Sequence, residues 1–167
     1  MSLPTPPFCH GCLRNPNRMK LKRSNQDDHG FQELVKKLDA ELAIRDGDDH
    51  DFYHQFNGIT QLNHVVLCMD QDKAVACGAF KARTAQQVEI KRMYVLPDYR
   101  RQGLAEQLLT ELEKWGAALG YEEAILETGK AQVEALSFYP KMKYHIIPNF
   151  PPYERVENSI CFQKFLF

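Results

Sequence analysis

Three β-rich runs follow one another with no helix between them: "HVVLCMD" (64–70), "KAVACGAFKART" (73–84) and "QVEIKRMYVLP" (87–97). The short polar link "DQDK" between the first two predicts a hairpin, and Pro97-Asp98 ends the third sharply. What comes next changes period. Leu104, Leu108, Leu109, Leu112, Trp115 and Leu119 recur at helical spacing up to Gly120, and "EEAILET" (122–128) then reads as a short strand with an apolar centre. A helix between two strands predicts a right-handed crossover that makes them parallel, whereas the three runs before it form an antiparallel meander.

The flanks complete the pattern. "MKLKRS" (19–24) alternates as a first strand, and Phe31, Leu34, Val35, Leu38 and Leu42 form the apolar stripe of a helix that Gly47 stops. The acidic, aromatic segment 46–61 has no clear period and is expected to be a connection with a short helix. After residue 128 a helix over "KAQVEALSFY" is expected to be cut short by Pro140, and "YHIIPNF" and "SICFQKFLF" supply two last strands. The order β-α-loop-β-β-β-α-β-α-β-β implies an α+β chain with three α/β layers. Its mixed, mostly antiparallel central sheet has about six or seven strands, helices on both faces and one parallel βαβ crossover. Residues 1–18 read as a flexible Pro-rich leader and residues 19–167 as a single domain, since 167 residues suffice for one sizeable core.

Charge excludes more than it selects. Lys plus Arg number 21 against 22 Asp plus Glu, so no basic excess points to nucleic acid or to an anionic membrane. No run approaches the ~18 apolar residues of a spanning helix and the first residues lack a signal-peptide core, so a cytoplasmic protein is expected. Five cysteines suit free thiols. Cys9-His10-Gly11-Cys12 resembles half a zinc site but lacks a second ligand pair, so no metal is expected.

The helix at 104 is preceded by "YRRQGLA". A helix N-terminus already carries unpaired N–H groups and about half a positive charge, so arginines in front of it suit an anion site. Gly103 allows backbone to approach a bulky diphosphate, and Ala105 keeps the next turn small. Two solvated arginines at a surface turn are the simpler alternative. Neither a P-loop nor a Gly-x-Gly-x-x-Gly run is present.

The run "VEIKRMYVLPDYRRQGLAEQLLTELEKW", followed by "ILETGKAQVEALSFYPKMKYHI", resembles the GNAT N-acetyltransferase superfamily over about residues 19–167. That superfamily's Gln/Arg-x-x-Gly-x-Gly/Ala signature grips the pyrophosphate of acetyl-CoA, and the matching positions are Arg100, Arg101, Gln102, Gly103, Leu104 and Ala105. The resemblance implies a splay between the strand before the signature and the next parallel strand. The pantetheine arm would lie there, against Met93, Tyr94 and Val95. It further implies Glu89 as general base, the Val95 N–H as oxyanion donor, Tyr139 as general acid and Gln132 in place of a cofactor-contacting asparagine. For each side chain a plain alternative stands beside the functional one: Glu89 as an exposed strand residue paired with Lys91, Tyr139 as a core aromatic, Gln132 as a solvated amide. Relatives commonly have a non-proline after the tyrosine and a glycine before the next aromatic, where this chain has Pro140 and Lys143.

For the acceptor, Arg92 and Glu127 are candidates to hold the carboxylate and amine of an amino-acid-like substrate, with an internal Arg92–Glu127 ion pair as the alternative. Asp46, Asp48, Asp49 and Asp51 are candidates to attract a cationic amine. The implied function is transfer of an acetyl group from acetyl-CoA to a primary amine of a small molecule or peptide, by direct attack in a ternary complex, in a monomer or homodimer. The alternative is a non-catalytic acyl-CoA-binding or regulatory module of the same fold.

Overall fold

The computed structural model describes residues 19–167; the leader with Cys9 and Cys12 lies outside the described residues. The strands are β1 (Met19–Ser24), β2 (His64–Asp70), β3 (Lys73–Ala82), β4 (Gln87–Val95), β5 (Glu123–Gly129), β6 (His145–Ile147) and β7 (Ser159–Phe165). The helices are α1 (His29–Asp46), α2 (His50–His54), α3 (Leu104–Ala118) and α4 (Val133–Lys141). All seven strands form one sheet in the order β1-β2-β3-β4-β5-β7-β6, in which only the β4–β5 neighbours are parallel. This is the mixed, mostly antiparallel sheet expected, with the crossover running through α3.

The parallel contact is brief. β4 and β5 pair only at Gln87–Glu123, Val88–Ala124 and Glu89–Ile125, while β5 stays paired with β7 as far as Gly129–Ser159. Beyond Glu89 the two strands diverge into a V. A β-bulge in β4 shapes one arm of it. Cys77 pairs with Tyr94 and Ala79 with Lys91, so Gly78 faces both Arg92 and Met93, and Arg92 takes φ +59°. A Cβ on Gly78 would stand 2.4 Å from Met93 Sδ and 2.9 Å from Leu112 Cδ1 of α3, so any larger residue under the bulge would have to displace those side chains.

Alternation along β4 separates the faces. Val88 lies against Gly116 of α3, whereas Arg92, turned by the bulge, and Tyr94 reach Asp39 and Glu41 of α1. Helices therefore cover both faces. The main core joins the α1 stripe (Phe31, Leu34, Val35, Leu38, Leu42), the α3 stripe (Leu104, Leu108, Leu109, Leu112) and the sheet, all buried. A second cluster of Tyr53, Tyr153 and Cys161, with Phe52, Phe56 and Phe150 around it, lies beside the C-terminal strands.

Two local features differ from the sequence expectation. Pro140 does not cut α4 short but lies inside it, and the helix begins at Val133 rather than Lys130. A proline so near the C-terminal end forfeits one hydrogen bond of the last turn, which is then rebuilt by a left-handed cap. Lys143 adopts φ +68°, its N–H donates to Pro140 O and that of Tyr144 to Tyr139 O. This is the position at which glycine is usual, and it is filled here at some conformational cost. β6 is also shorter than "YHIIPNF" suggests, with three residues on the sheet edge.

Candidate active site

The V between β4 and β5 opens into one cavity of about 710 Å³ that runs from the N-terminus of α3 to the segment around α2. At the α3 end, the chain leaves β4 through a short 3-10 turn (Pro97–Tyr99), and Arg101 and Gly103 both take left-handed backbone, φ +61° and +76°. The first helical hydrogen bond runs from Gln107 N–H to Gly103 O, and no side chain caps the helix. The N–H groups of Leu104, Ala105 and Glu106 are thus left without helical partners at the cavity wall, as an anion site needs. Arg100, Arg101, Gly103, Leu104 and Ala105 line the cavity, as do Met93, Tyr94, Val95 and Gln132, the residue preceding α4. Gln102 does not; its amide turns back to Asp98 O at 3.5 Å.

Arg101 makes no hydrogen bond or ion pair among the described residues and stays exposed beside the helix end. Arg100 is engaged. Its Nη2 donates to both Glu41 oxygens at 2.9 and 3.0 Å, its Nε donates to Val95 O, and the guanidinium lies over the Tyr94 ring. Tyr94 OH donates to the same Glu41, and burial, with that carboxylate adding to it, pushes the Tyr94 phenol up to about 12. A second pair, Arg45–Glu134 at 2.6 Å, joins the end of α1 to the start of α4. None of these α1 partners was visible in the apolar pattern that identified the helix.

The strand edges facing the V carry free backbone groups. Leu96 N–H donates to Val75 O on β3; strand alternation then points the Val95 N–H the other way, into the V. Thr128, buried on β5, has a hydroxyl with no partner among the described residues, and it too lines the cavity.

At the other end stand Asp46, Tyr53, Asn57, Glu89, Lys91, Glu127 and Tyr153. Glu89 is not an exposed strand residue. It is 3% exposed, with Lys91 at 3.4 Å, Arg83 at 3.7 Å and Lys81 at 3.8 Å from its oxygens. Lys91 also donates to Phe56 O, and burial draws its ammonium below the usual lysine range. Glu127 Oε1 accepts from Ser159 Oγ at 2.6 Å, and Ser159 Oγ lies 3.0 Å from Tyr53 OH. Burial lifts the Glu127 carboxyl to about 7, with Glu89 and Asp46 adding and Ser159 and Lys91 opposing. Tyr139 is 7% exposed and lines the cavity despite Pro140; burial first and then Glu127 hold its phenol protonated well above the usual range.

Arg92 and Glu127 are not partners. The Arg92 guanidinium is turned to α1, 2.5 Å from Asp39 Oδ1 and 3.4 Å from Val35 O, because the left-handed bulge residue moves its side chain off the course of the strand. Of the acidic run only Asp46 reaches the cavity; Asp49 instead accepts from Asn158. His64 stacks on Phe80 and His145 sits exposed on the edge strand, both away from it, whereas Tyr153, in the loop between β6 and β7, lines it. No group of His, Cys, Asp and Glu suited to a metal occurs among the described residues, and none of the described helices is long and apolar enough to cross a membrane.

The family model of the acetyltransferase (GNAT) family matches residues 31–144. A candidate acyl-CoA N-acyltransferase of Klebsiella pneumoniae superposes with a TM-score of 0.76 at 27% identity, covering 92% of this chain and all of that one (100%). An aminoglycoside 6'-N-acetyltransferase complexed with coenzyme A superposes at 0.69 and 16% identity, covering 89% of this chain and 97% of its own. A GNAT family acetyltransferase from Elizabethkingia anophelis with acetyl-CoA bound does so at 0.62 and 16%, covering 89% and 99%. These two show the shared fold. The human N-acetyltransferase 8 is 30% identical over 59 residues, which span 35% of this chain and 26% of that relative. On the family match and the fold together, the chain belongs to the GNAT acetyltransferase family.

Proposed function

We propose that the protein is an N-acetyltransferase that moves an acetyl group from acetyl-CoA to a primary amine by direct attack. The observation that carries this reading is the continuity of one cavity. An uncapped helix end with a free arginine lies at one end, splayed strand edges in the middle, and buried carboxylates at the other. Two solved relatives hold coenzyme A or acetyl-CoA, and the residues present here fit the same ligand.

In this reading the N–H groups of residues 104–106, with Arg101 and Arg100, hold the pyrophosphate, and Gly103 gives it room. The pantetheine arm takes the place of a strand between Met93–Val95 and the β5 edge. Acetyl-CoA, once bound, supplies the activated acetyl group and a thiol leaving group. The Val95 N–H is a preorganised donor for the oxygen on which negative charge develops. Tyr139, held protonated, donates to the departing sulfur. An alkyl amine with a pKa of about 10 enters as an ammonium and must lose a proton before it can attack, which is the task of a carboxylate at the acceptor end, Glu89 or Glu127.

The test is thiol release from acetyl-CoA across a panel of amino acids, polyamines and peptide N-termini. Turnover with at least one amine, lost in Tyr139→Phe with coenzyme A affinity retained, is the expected result. Tight coenzyme A binding without thiol release for any amine would instead favour a non-catalytic acyl-CoA-binding module.

A further inference from the structure

The acceptor end holds two buried glutamates in different company. Glu89 is ringed by three cations, with Lys91 3.4 Å from Oε1 and Arg83 and Lys81 3.7 and 3.8 Å from Oε2, so its charge is engaged in an ion cluster that joins β3 and β4 beside the fork of the V. Glu127 lies on the other arm of the fork. Directly paired residues of antiparallel strands share a face, which puts Glu127 with Cys161 on the side of the Tyr53–Tyr153 cluster. Leu126 and Phe162 occupy the opposite side, and the Tyr139 ring packs against Phe162. A proton acceptor at Glu127 and a proton donor at Tyr139 therefore approach the V from its two faces.

Glu127 is also oriented. Ser159 Oγ has one hydrogen and gives it to Glu127 Oε1, so it accepts from Tyr53 OH, and the hydrogens run from α2 through β7 to β5. Oε2 takes no hydrogen bond from the described residues, and Glu127 lines the cavity.

The geometry points to Glu127, not Glu89, as the group that takes the proton from the acceptor amine, with Ser159 and Tyr53 as positioning residues. The assignment rests on the amine-acetyltransferase reading above. Of the three ammonium protons, one passes to Glu127 Oε2 and on to solvent, one ends on the thiol sulfur by way of Tyr139, and one stays on the amide nitrogen. The N–C bond forms as the C–S bond breaks. A carboxyl raised to about 7 is divided between its two forms at neutral pH, which suits a general base. The charged and titratable groups around it are Lys91 and Glu89 on β4, Asp46 on α1, Tyr53 on α2, Tyr139 on α4, Cys161 on β7 and Tyr153 before it.

The experiment pairs a pH–rate profile with a direct titration. With an accepted amine, wild-type kcat/KM is expected to rise through an acid limb near pH 7. In Glu127→Gln that limb disappears and the rate at pH 7 falls by roughly 100- to 1,000-fold with coenzyme A affinity retained, whereas Glu89→Gln keeps the limb. Ser159→Ala removes a hydrogen bond that lowers the Glu127 pKa, so the limb moves to higher pH; a merely structural serine would lower the rate without moving it. Independently of activity, carbon-13 NMR of glutamate-labelled protein should show one carboxyl titrating near 7 that is missing from Glu127→Gln. A limb that persists in Glu127→Gln, or that vanishes in Glu89→Gln, overturns the assignment, as does a Glu127 carboxyl titrating in the ordinary range. If no amine elicits thiol release while that carboxyl still titrates near 7, the transferase reading itself fails and takes the proton-acceptor role with it.

Discussion

Glu41 of α1 accepts two hydrogen bonds from Arg100, the arginine before the uncapped end of α3. If Arg100 holds a diphosphate as proposed, the carboxylate occupies the guanidinium that the ligand would use, and the pair must open or be shared when it arrives. Both partners are about one-third exposed, so the pair itself is worth little, about 0.5–1 kcal/mol. Glu41→Gln is accordingly expected to tighten coenzyme A binding by about two- to fivefold, and Arg100→Ala to weaken it. Calorimetry at fixed ionic strength decides this; weaker binding in Glu41→Gln would mean that the carboxylate presents Arg100 to the ligand instead of competing for it.

Gly78 lies under the bulge of β4, where a methyl group would meet Met93 and the fully buried Leu112. Gly78→Ala should destabilise the protein by about 1–3 kcal/mol through overpacking. Met93→Ala in the same chain should recover part of that loss. Urea unfolding of the two single variants and the double variant measures the coupling.

Lys143 holds the left-handed cap of α4 without being glycine. Lys143→Gly should stabilise by about 1 kcal/mol and raise Tm by about 2–4 °C, provided the cap bonds of Lys143 and Tyr144 are kept. Thermal unfolding reads the shift, and no gain would mean that the lysine chain repays its strain through other contacts.

Because burial raises the Glu127 carboxyl from 4.5 to about 7, the folded chain binds that proton more tightly than the unfolded chain does. The stability linked to it is fully present below pH ~4.5 and is lost as pH rises through ~7. Glu127→Gln, which never ionises, should match the wild type in acid and exceed it by roughly 3 kcal/mol at pH 8. Denaturant melts at pH 5 and pH 8 test this, and a gap that does not widen with pH argues against a raised pKa.

The fold was largely legible because its signals are local: consecutive alternating runs, a leucine stripe, and glycine or proline at the boundaries. That Arg100, Arg101 and Gly103 stand together at the start of α3, on the cavity wall, was legible for the same reason, since they adjoin that helix. Arg92 was not. Its side chain leaves the expected course because a non-glycine residue takes φ +59°, which no residue type announces. Asp39, Glu41 and Arg45 lay on the polar face of α1, the face that a reading by apolar period sets aside, yet they pair with Arg92, Arg100 and Glu134. The link from Tyr53 to Ser159 spans 106 positions and that from Ser159 to Glu127 spans 32, so only tertiary structure brings the three together.

The three rungs between β4 and β5 have a mechanical consequence. Four strands lie on one side of them and three on the other, so within the sheet two antiparallel halves meet at one corner. A ligand that bonds to both open edges acts as the missing seam. Its binding should slow amide exchange along residues 90–95 and 126–129 together.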